Sequence, residues 1–275
     1  KKITGSAGIG LLTGKLNLEG PIYKERTTFI LGFRSTYSDW ILGLLPEDSG
    51  YNNGTASFYD INGGICHKID SKNTLYLNGY YSRDGFKFSI DTCFNYNNIN
   101  VSVKWRSILN EHNNLTVATG YDQYNYNTFD KSNSANAYKM NFGIRQIFLR
   151  ANFNWLVSEK HTLQYGLNSV YYMVNPGRMI PYGDSSIVMY DRINTERASE
   201  SALYISDNWD VTDKLSLDLG LRYTLYSALG PDTYYKYASN SLRSESTIID
   251  TVNIGSGAIE KVYHGPEFRF SARYL

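Results

Sequence analysis

Four histidines, two cysteines and an unusual number of tyrosines are the side chains from which chemistry could be built. His67, His112, His161 and His264 form no pair with the short spacing that a zinc site requires. His67 falls on an apolar face, and His112 and His161 fall in short turns. His264 has Glu260 and Tyr263 beside it and reads as a solvated loop histidine. Cys66 and Cys93 lack metal-ligand spacing and are too few for a disulfide framework, so two free thiols at opposite ends of the fold are expected. No glycine-rich phosphate loop lies between a strand and a helix. No catalytic group, metal site or cofactor site follows from these residues.

Tyrosine remains. The chain carries 25 Tyr against 12 Phe and 4 Trp. A tyrosine is apolar along its ring and wet at its hydroxyl, so it collects at membrane interfaces and at polar binding surfaces. Two runs stand out, 121–126 and 234–237. Tyr124, Tyr126, Tyr234, Tyr235 and Tyr237 are therefore the candidate ligand-binding residues of the loops, because Tyr and Asn together give contact area at low entropy cost and adaptable hydrogen bonds to sugars or aromatic chelates. The plain alternative is an extension of a sheet wall with interface tyrosines and no ligand.

The elements that must hold these residues are strands. From Leu215 to Tyr226, Leu215, Leu217, Leu219, Leu221, Tyr223 and Leu225 alternate with Ser216, Asp218, Gly220, Arg222, Thr224 and Tyr226. A strand sends these two sets to opposite faces, whereas a helix would mix them. The pattern recurs with Ile99, Val101, Val103 and Trp105, and again with Phe268, Phe270, Ala272 and Tyr274. Eleven strands are expected, near 3–20, 27–37, 55–69, 74–82, 98–109, 115–126, 139–157, 162–172, 199–209, 215–227 and 266–275. Two of them change phase, near 12–14 and near 146–147, as a β-bulge would cause.

The connections alternate as well. Short polar turns at 23–26, 70–73, 111–114, 158–161 and 210–214 separate long polar stretches at 38–54, 83–97, 127–138, 173–198 and 229–265. Tight turns at one end and long loops at the other describe an outer-membrane β-barrel, with the short turns periplasmic. No run of apolar residues is long enough for a transmembrane helix, and a barrel needs none. The formal charge of +1 argues against a nucleic-acid binder, which would normally show a basic face. Lys1 to Gly5 has no apolar signal core, and the sequence still reads as strand at Leu275, so a piece of a longer chain is expected.

The polar face carries Arg34, Asp60, Lys104, Arg106, Asp218, Arg222, Arg269 and Arg273. Each Arg or Lys among them would cost about 2–4 kcal/mol against lipid at the midplane and little in a wet lumen. They are the candidate lumen-facing or plug-facing residues. Trp105, Trp155, Trp209 and Tyr37 fall toward strand ends, where an aromatic girdle belongs. An antiparallel sheet in water, with the charges solvated, is the competing reading of the alternation alone.

Three segments carry a family resemblance. Thr13 to Ile22 followed by Thr28 to Tyr37 resembles an early barrel hairpin of TonB-dependent receptors of the Bacteroidetes type. Leu75 to Asp84 with Asn98 to Arg106 resembles a later strand pair. Glu200-Ser201-Ala202-Leu203-Tyr204-Ile205-Ser206-Asp207-Asn208-Trp209, followed by Lys214-Leu215-Ser216 and Gly220-Leu221-Arg222-Tyr223, resembles a strand–turn–strand pattern found across such receptors. The resemblance implies that residues 1–275 are a partial, all-β antiparallel transmembrane barrel domain, without the plug domain. It implies TonB-coupled import of a scarce nutrient across the bacterial outer membrane: a siderophore, haem, a cobalamin, a glycan or a peptide. The implied partners are outer-membrane lipid, the TonB complex through a plug outside this sequence, the nutrient, and a surface lipoprotein lid, with no nucleic acid. A passive porin-like barrel and a surface β-sheet binding protein are the alternatives.

Overall fold

A computed structural model describes residues 2–52, 54–87 and 92–275. Residues 88–91 and 53, parts of the stretches expected as loops at 83–97 and 38–54, lie outside the described residues. The strands are β1 (Thr4–Ile9), β2 (Thr13–Tyr23), β3 (Thr27–Tyr37), β4 (Thr55–Lys68), β5 (Asn73–Lys87), β6 (Thr92–Asn110), β7 (Asn113–Asp130), β8 (Tyr138–Ser158), β9 (His161–Pro181), β10 (Asp191–Arg192), β11 (Glu196–Thr212), β12 (Leu215–Leu229), β13 (Asp232–Tyr237), β14 (Ile248–Ile254) and β15 (Ile259–Tyr274). Twelve of them form one antiparallel wall in the order β1-β2-β3-β4-β5-β6-β7-β8-β9-β11-β12-β15. The short β10 caps β9, and β13 pairs with β14 as a separate hairpin.

The wall is a single layer. Only Ala137, Val170, Ala198 and Ala202 are buried apolar residues among those described. The accessible surface is 18296 Å², against roughly 12,000 Å² expected for a compact monomer of this mass. Leu203, Ile205, Leu219, Leu221, Phe268 and Phe270 all stand exposed in a continuous apolar field on one face. Water does not tolerate so large an apolar patch, and the sheet in water is thereby excluded; lipid satisfies this face.

Cross-strand pairing fixes which residues share that face. Trp105 stands opposite Leu75 and Val117, Trp155 opposite Leu163, and Trp209 opposite Leu217. All three tryptophans thus lie at the short-turn end of the apolar face. Tyr37, Tyr59, Tyr81, Tyr121 and Tyr171 lie on the same face toward the loop end. From Trp155 to Ile147 the strand runs roughly 27 Å. At the usual barrel tilt this covers about 21 Å of membrane, close to the expected apolar band.

Three expectations need correction. The segment 3–20 is two strands, because Gly10-Leu11-Leu12 makes a turn in which the Gly10 N–H donates to the Thr13 carbonyl at 2.8 Å. That turn produces the phase change near Leu12, and the wall has twelve strands instead of eleven. The phase change near Gln146 involves no bulge on that edge: the β7–β8 register runs unshifted from Asn113↔Trp155 to Asp130↔Tyr138. The irregularity is on the other edge of β8, between Asn141 and Gly143, where β9 carries the additional residue. Apolar side chains simply change sides there, from the lipid face below to the opposite face above. The stretches 83–97, 127–138 and 173–198 are in large part strand, since the wall continues beyond the apolar band.

Candidate functional site

On the polar face, near the loop end, six rings from four strands meet. Phe86 of β5 stacks on Phe94 of β6 at 4.7 Å between centroids. Tyr96 lies 4.9 Å from Tyr126 of β7 and 6.3 Å from Tyr124. Tyr126 stacks on Phe142 of β8 at 5.7 Å. All six positions are even-numbered, opposite in phase to Trp105, Val117 and Phe153 on the lipid face. Aromatic pairs at these spacings add roughly 0.5–1.5 kcal/mol each beyond their buried area.

Beneath the rings the same face turns polar. The Asp122 carboxylate accepts from the amides of Asn100 and of Gln146, the latter at 2.8 Å. Asn98 donates to the buried Ser82 hydroxyl at 3.0 Å. Arg34 donates to Asp60 at 2.7 Å, and Asp60 is 5% exposed. The face can therefore offer flat apolar surface and fixed hydrogen-bonding groups to one solute.

All eight charged candidates stand on this polar face. Arg34 pairs with Asp60, and Lys104 covers the ring of Tyr76 at 4.5 Å. Arg222 donates to Glu200 at 3.3 Å and lies 3.9 Å from Glu267. Asp218, Arg222 and Arg269 converge on one cleft of about 300 Å³ with Gln164 and Tyr204. Arg106, opposite Thr74 and Thr116, and Arg273, opposite Ser216, stand apart near the short turns.

The tyrosine candidates divide. Tyr124 and Tyr126 belong to the strand wall and not to a loop, because β7 runs on to Asp130. Tyr234, Tyr235 and Tyr237 sit on β13, a paired strand within the connection expected as a loop. Tyr234 and Tyr235 are exposed. Among the described residues no ring contact joins the two groups. In the β13–β14 hairpin, Lys236 donates to Asp250 at 2.9 Å. That bond holds the Asp250 carboxyl below the ordinary carboxylate range and raises the Lys236 ammonium.

The sequence reading passed over Phe86, Phe94, Tyr96 and Phe142. Their signal was the phase change itself, which marks the height at which the interior becomes the apolar side. The sequence reading placed His161 in a short turn, whereas His161 opens β9, with its ring stacked on Trp209 at 5.5 Å and its Nδ1 2.7 Å from Asp207 on the lipid face. Cys66 and Cys93 are half-buried free thiols on opposite faces. Among the described residues, no three potential metal ligands cluster.

A single-layer antiparallel wall with a lipid face, a polar interior and turns of two lengths defines an outer-membrane β-barrel. Residues 13–254 match the family described as TonB dependent receptor-like, beta-barrel, and the chain belongs to that family. It is a component of the bacterial outer membrane and no enzyme. Among solved structures it resembles the copper transporter OprC, with a TM-score of 0.68, 10% identity, 99% of this chain and 41% of that chain covered. It also resembles the open form of the ferric-catecholate import receptor Fiu from E. coli K12, at 0.62, 14%, 99% and 52%. The ferric enterobactin receptor PfeA from Pseudomonas aeruginosa follows at 0.58 and 14%, with 82% and 41% covered. These likenesses show the fold, and the chain spans about half or less of each of those proteins. No curated protein matches by sequence.

Proposed function

We propose that this chain supplies part of the wall of a receptor that imports a scarce, ring-bearing nutrient across the outer membrane, with an aromatic iron chelate as the favoured class. The observation that carries this reading is the six-ring stripe on the polar face at the loop end, centroids 4.7–6.3 Å apart along its closest contacts. Flat rings on a strand wall are held with little freedom left to lose, so a planar ligand stacks on them at low entropy cost. A ferric-catecholate receptor and a ferric enterobactin receptor share the fold, which is consistent with this class.

Transport against a gradient requires an energy source, and in this reading TonB supplies it through a plug domain. The plug-facing groups are Arg34, Asp60, Lys104, Arg106, Asp218, Arg222, Arg269 and Arg273. Tyr234, Tyr235 and Tyr237 on the β13–β14 hairpin make the first contact, and the wall rings, Tyr124 and Tyr126 among them, the second.

The experiment is calorimetric titration of the purified full-length receptor with ferric enterobactin and, separately, with maltoheptaose. Binding of the chelate alone supports the reading. Binding of the glycan alone overturns the substrate class. Uptake of the labelled chelate by whole cells should stop on addition of a protonophore; uptake that continues would indicate a passive barrel.

A further inference from the structure

Just beyond the apolar band on the loop side, the outer face of the wall becomes basic. Ile147, Tyr171 and Ser199 form one row across β8, β9 and β11. The next row on the same face is Arg145, Met173 and Arg197. Further out, Arg178 stands opposite Asn141 of β8 and Arg192 of β10. The four arginines line a single cleft of about 350 Å³ with Asn141 and Asn175. A carboxamide ladder stiffens its floor: Asn175 donates to Asn141 at 3.0 Å, and Asn141 to Asn127 at 2.9 Å.

Among the described residues no carboxylate neutralises this cluster. Among the described residues none of the four forms an ion pair, whereas Arg34 and Arg222 on the other face do. Their side-chain hydrogen bonds are long ones to Thr195: Arg192 to Oγ1 at 3.5 Å and Arg197 to the carbonyl at 3.4 Å. Asp191 and Glu196, next in sequence to two of the arginines, pair with Met179 and Val174 on the opposite face. Four guanidiniums in one cleft repel one another unless an anion joins them, and their forked donors fit phosphate oxygens.

Position selects the anion. The cleft faces away from the interior, so an imported solute does not meet it. It lies one row above the last apolar row of the lipid face, at the height of outer-leaflet headgroups. We propose that Arg145, Arg178, Arg192 and Arg197 bind the phosphate groups of a phosphorylated outer-leaflet glycolipid, with Asn141 and Asn175 turned toward its sugar hydroxyls. The inference is independent of the proposed nutrient, which concerns the other face.

The test uses the full-length receptor in neutral detergent and three probes: diphosphoryl lipid A, its fully dephosphorylated form and inorganic phosphate. Diphosphoryl lipid A should bind the wild type, and more weakly as salt rises. The variant R145Q/R178Q/R192Q/R197Q should bind it roughly tenfold more weakly or worse. A charge-matched control at the short-turn end, K24Q/K72Q/K160Q/K214Q, should bind as the wild type does. Heat-modifiable mobility on gels reports whether each variant is assembled. If the glutamine variant does not assemble, the wild type still decides through the probes. Equal binding of the phosphorylated and dephosphorylated forms overturns the proposal. Full displacement of diphosphoryl lipid A by submillimolar inorganic phosphate would assign the cleft to a free anion and also overturn it.

Discussion

Tyr96 and Tyr126 are direct cross-strand partners of β6 and β7, with ring centroids 4.9 Å apart. They join the Phe86–Phe94 stack on one side to Phe142 on the other, so the stripe is continuous through them. The double variant Y96A/Y126A interrupts it at the centre. Affinity for ferric enterobactin should fall about tenfold or more, which corresponds to roughly 1.4 kcal/mol. Heat-modifiable mobility should be unchanged, since both rings stand above the apolar band. Unaltered calorimetric affinity would remove the stripe from the binding site.

Leu219 and Asp218 are adjacent in β12 but belong to different faces, opposite Phe270 and Ser271 respectively. Leu219→Arg puts a charge against lipid and should cost about 2–4 kcal/mol near the midplane. Asp218→Asn removes a charge from the interior cleft and should leave unfolding nearly unchanged. Urea unfolding of the receptor in vesicles measures both. Equal losses would contradict the faces assigned to β12.

Arg34 and Asp60 are unequal partners: the Arg34 side chain is 56% exposed and that of Asp60 is 7% exposed. Arg34→Ala leaves a buried carboxylate without its donor. The cost should be about 1–3 kcal/mol, with the exposed guanidinium keeping it from the upper end seen for fully buried pairs. Adding Asp60→Asn should restore part of the loss, because the uncompensated charge is then gone. A double-mutant cycle on unfolding reads the sign; additive losses would show that the pair does not act as one.

The Lys236–Asp250 pair gives the β13–β14 hairpin a pH window. The Asp250 carboxyl is depressed by the hydrogen bond and charge of Lys236, so its stabilisation is complete above the ordinary carboxylate range, near pH 4, and is lost as pH falls through the lowered value. The Lys236 ammonium is raised by Asp250, so its share is complete below the ordinary lysine range, near pH 10, and is lost as pH rises beyond it. Amide protection in the hairpin, corrected for intrinsic exchange, should be flat between these limits and fall in acid. Asp250→Asn should abolish the acid limb; an unchanged limb would mean that another group carries it.

The wall was legible wherever lipid dictates one face. From Leu215 to Tyr226 nothing but a two-residue period fits, and the structure pairs every one of those residues with a neighbouring strand. Legibility ended where water lies on both sides. Above the band, Asn95, Asn97, Asn125 and Asn141 face outward and the rings face inward, so polarity inverts without any change in backbone. A reading that equates polar sequence with loop therefore shortens β5 to β9. It also hides the aromatic stripe, whose members look like loop residues on one strand at a time and like a surface only when four strands are in register. The turn at Gly10-Leu11-Leu12 was hidden for the opposite reason: two of its residues are leucine, and they continue the apolar look of the flanking strands. The His161–Asp207–Trp209 cluster joins residues 46 and 48 positions apart in sequence, which only the β9–β11 register brings together.

The central claim is that one wall has a lipid face and an interior face, and that apolar residues change from the first to the second on crossing the outer boundary of the membrane. Spin labels placed singly from Phe94 to Trp105 of β6 test it, in the full-length receptor in vesicles with Cys66 and Cys93 replaced by serine. Oxygen, which concentrates in lipid, should relax labels at 99, 101, 103 and 105 strongly, and a water-soluble nickel chelate should relax labels at 98, 100, 102 and 104. Beyond Asn97 the alternation in oxygen access should vanish, with both 94 and 95 reached by nickel. Oxygen alternation that continues unbroken to Phe94 in the same phase, or none anywhere along the strand, would contradict the account.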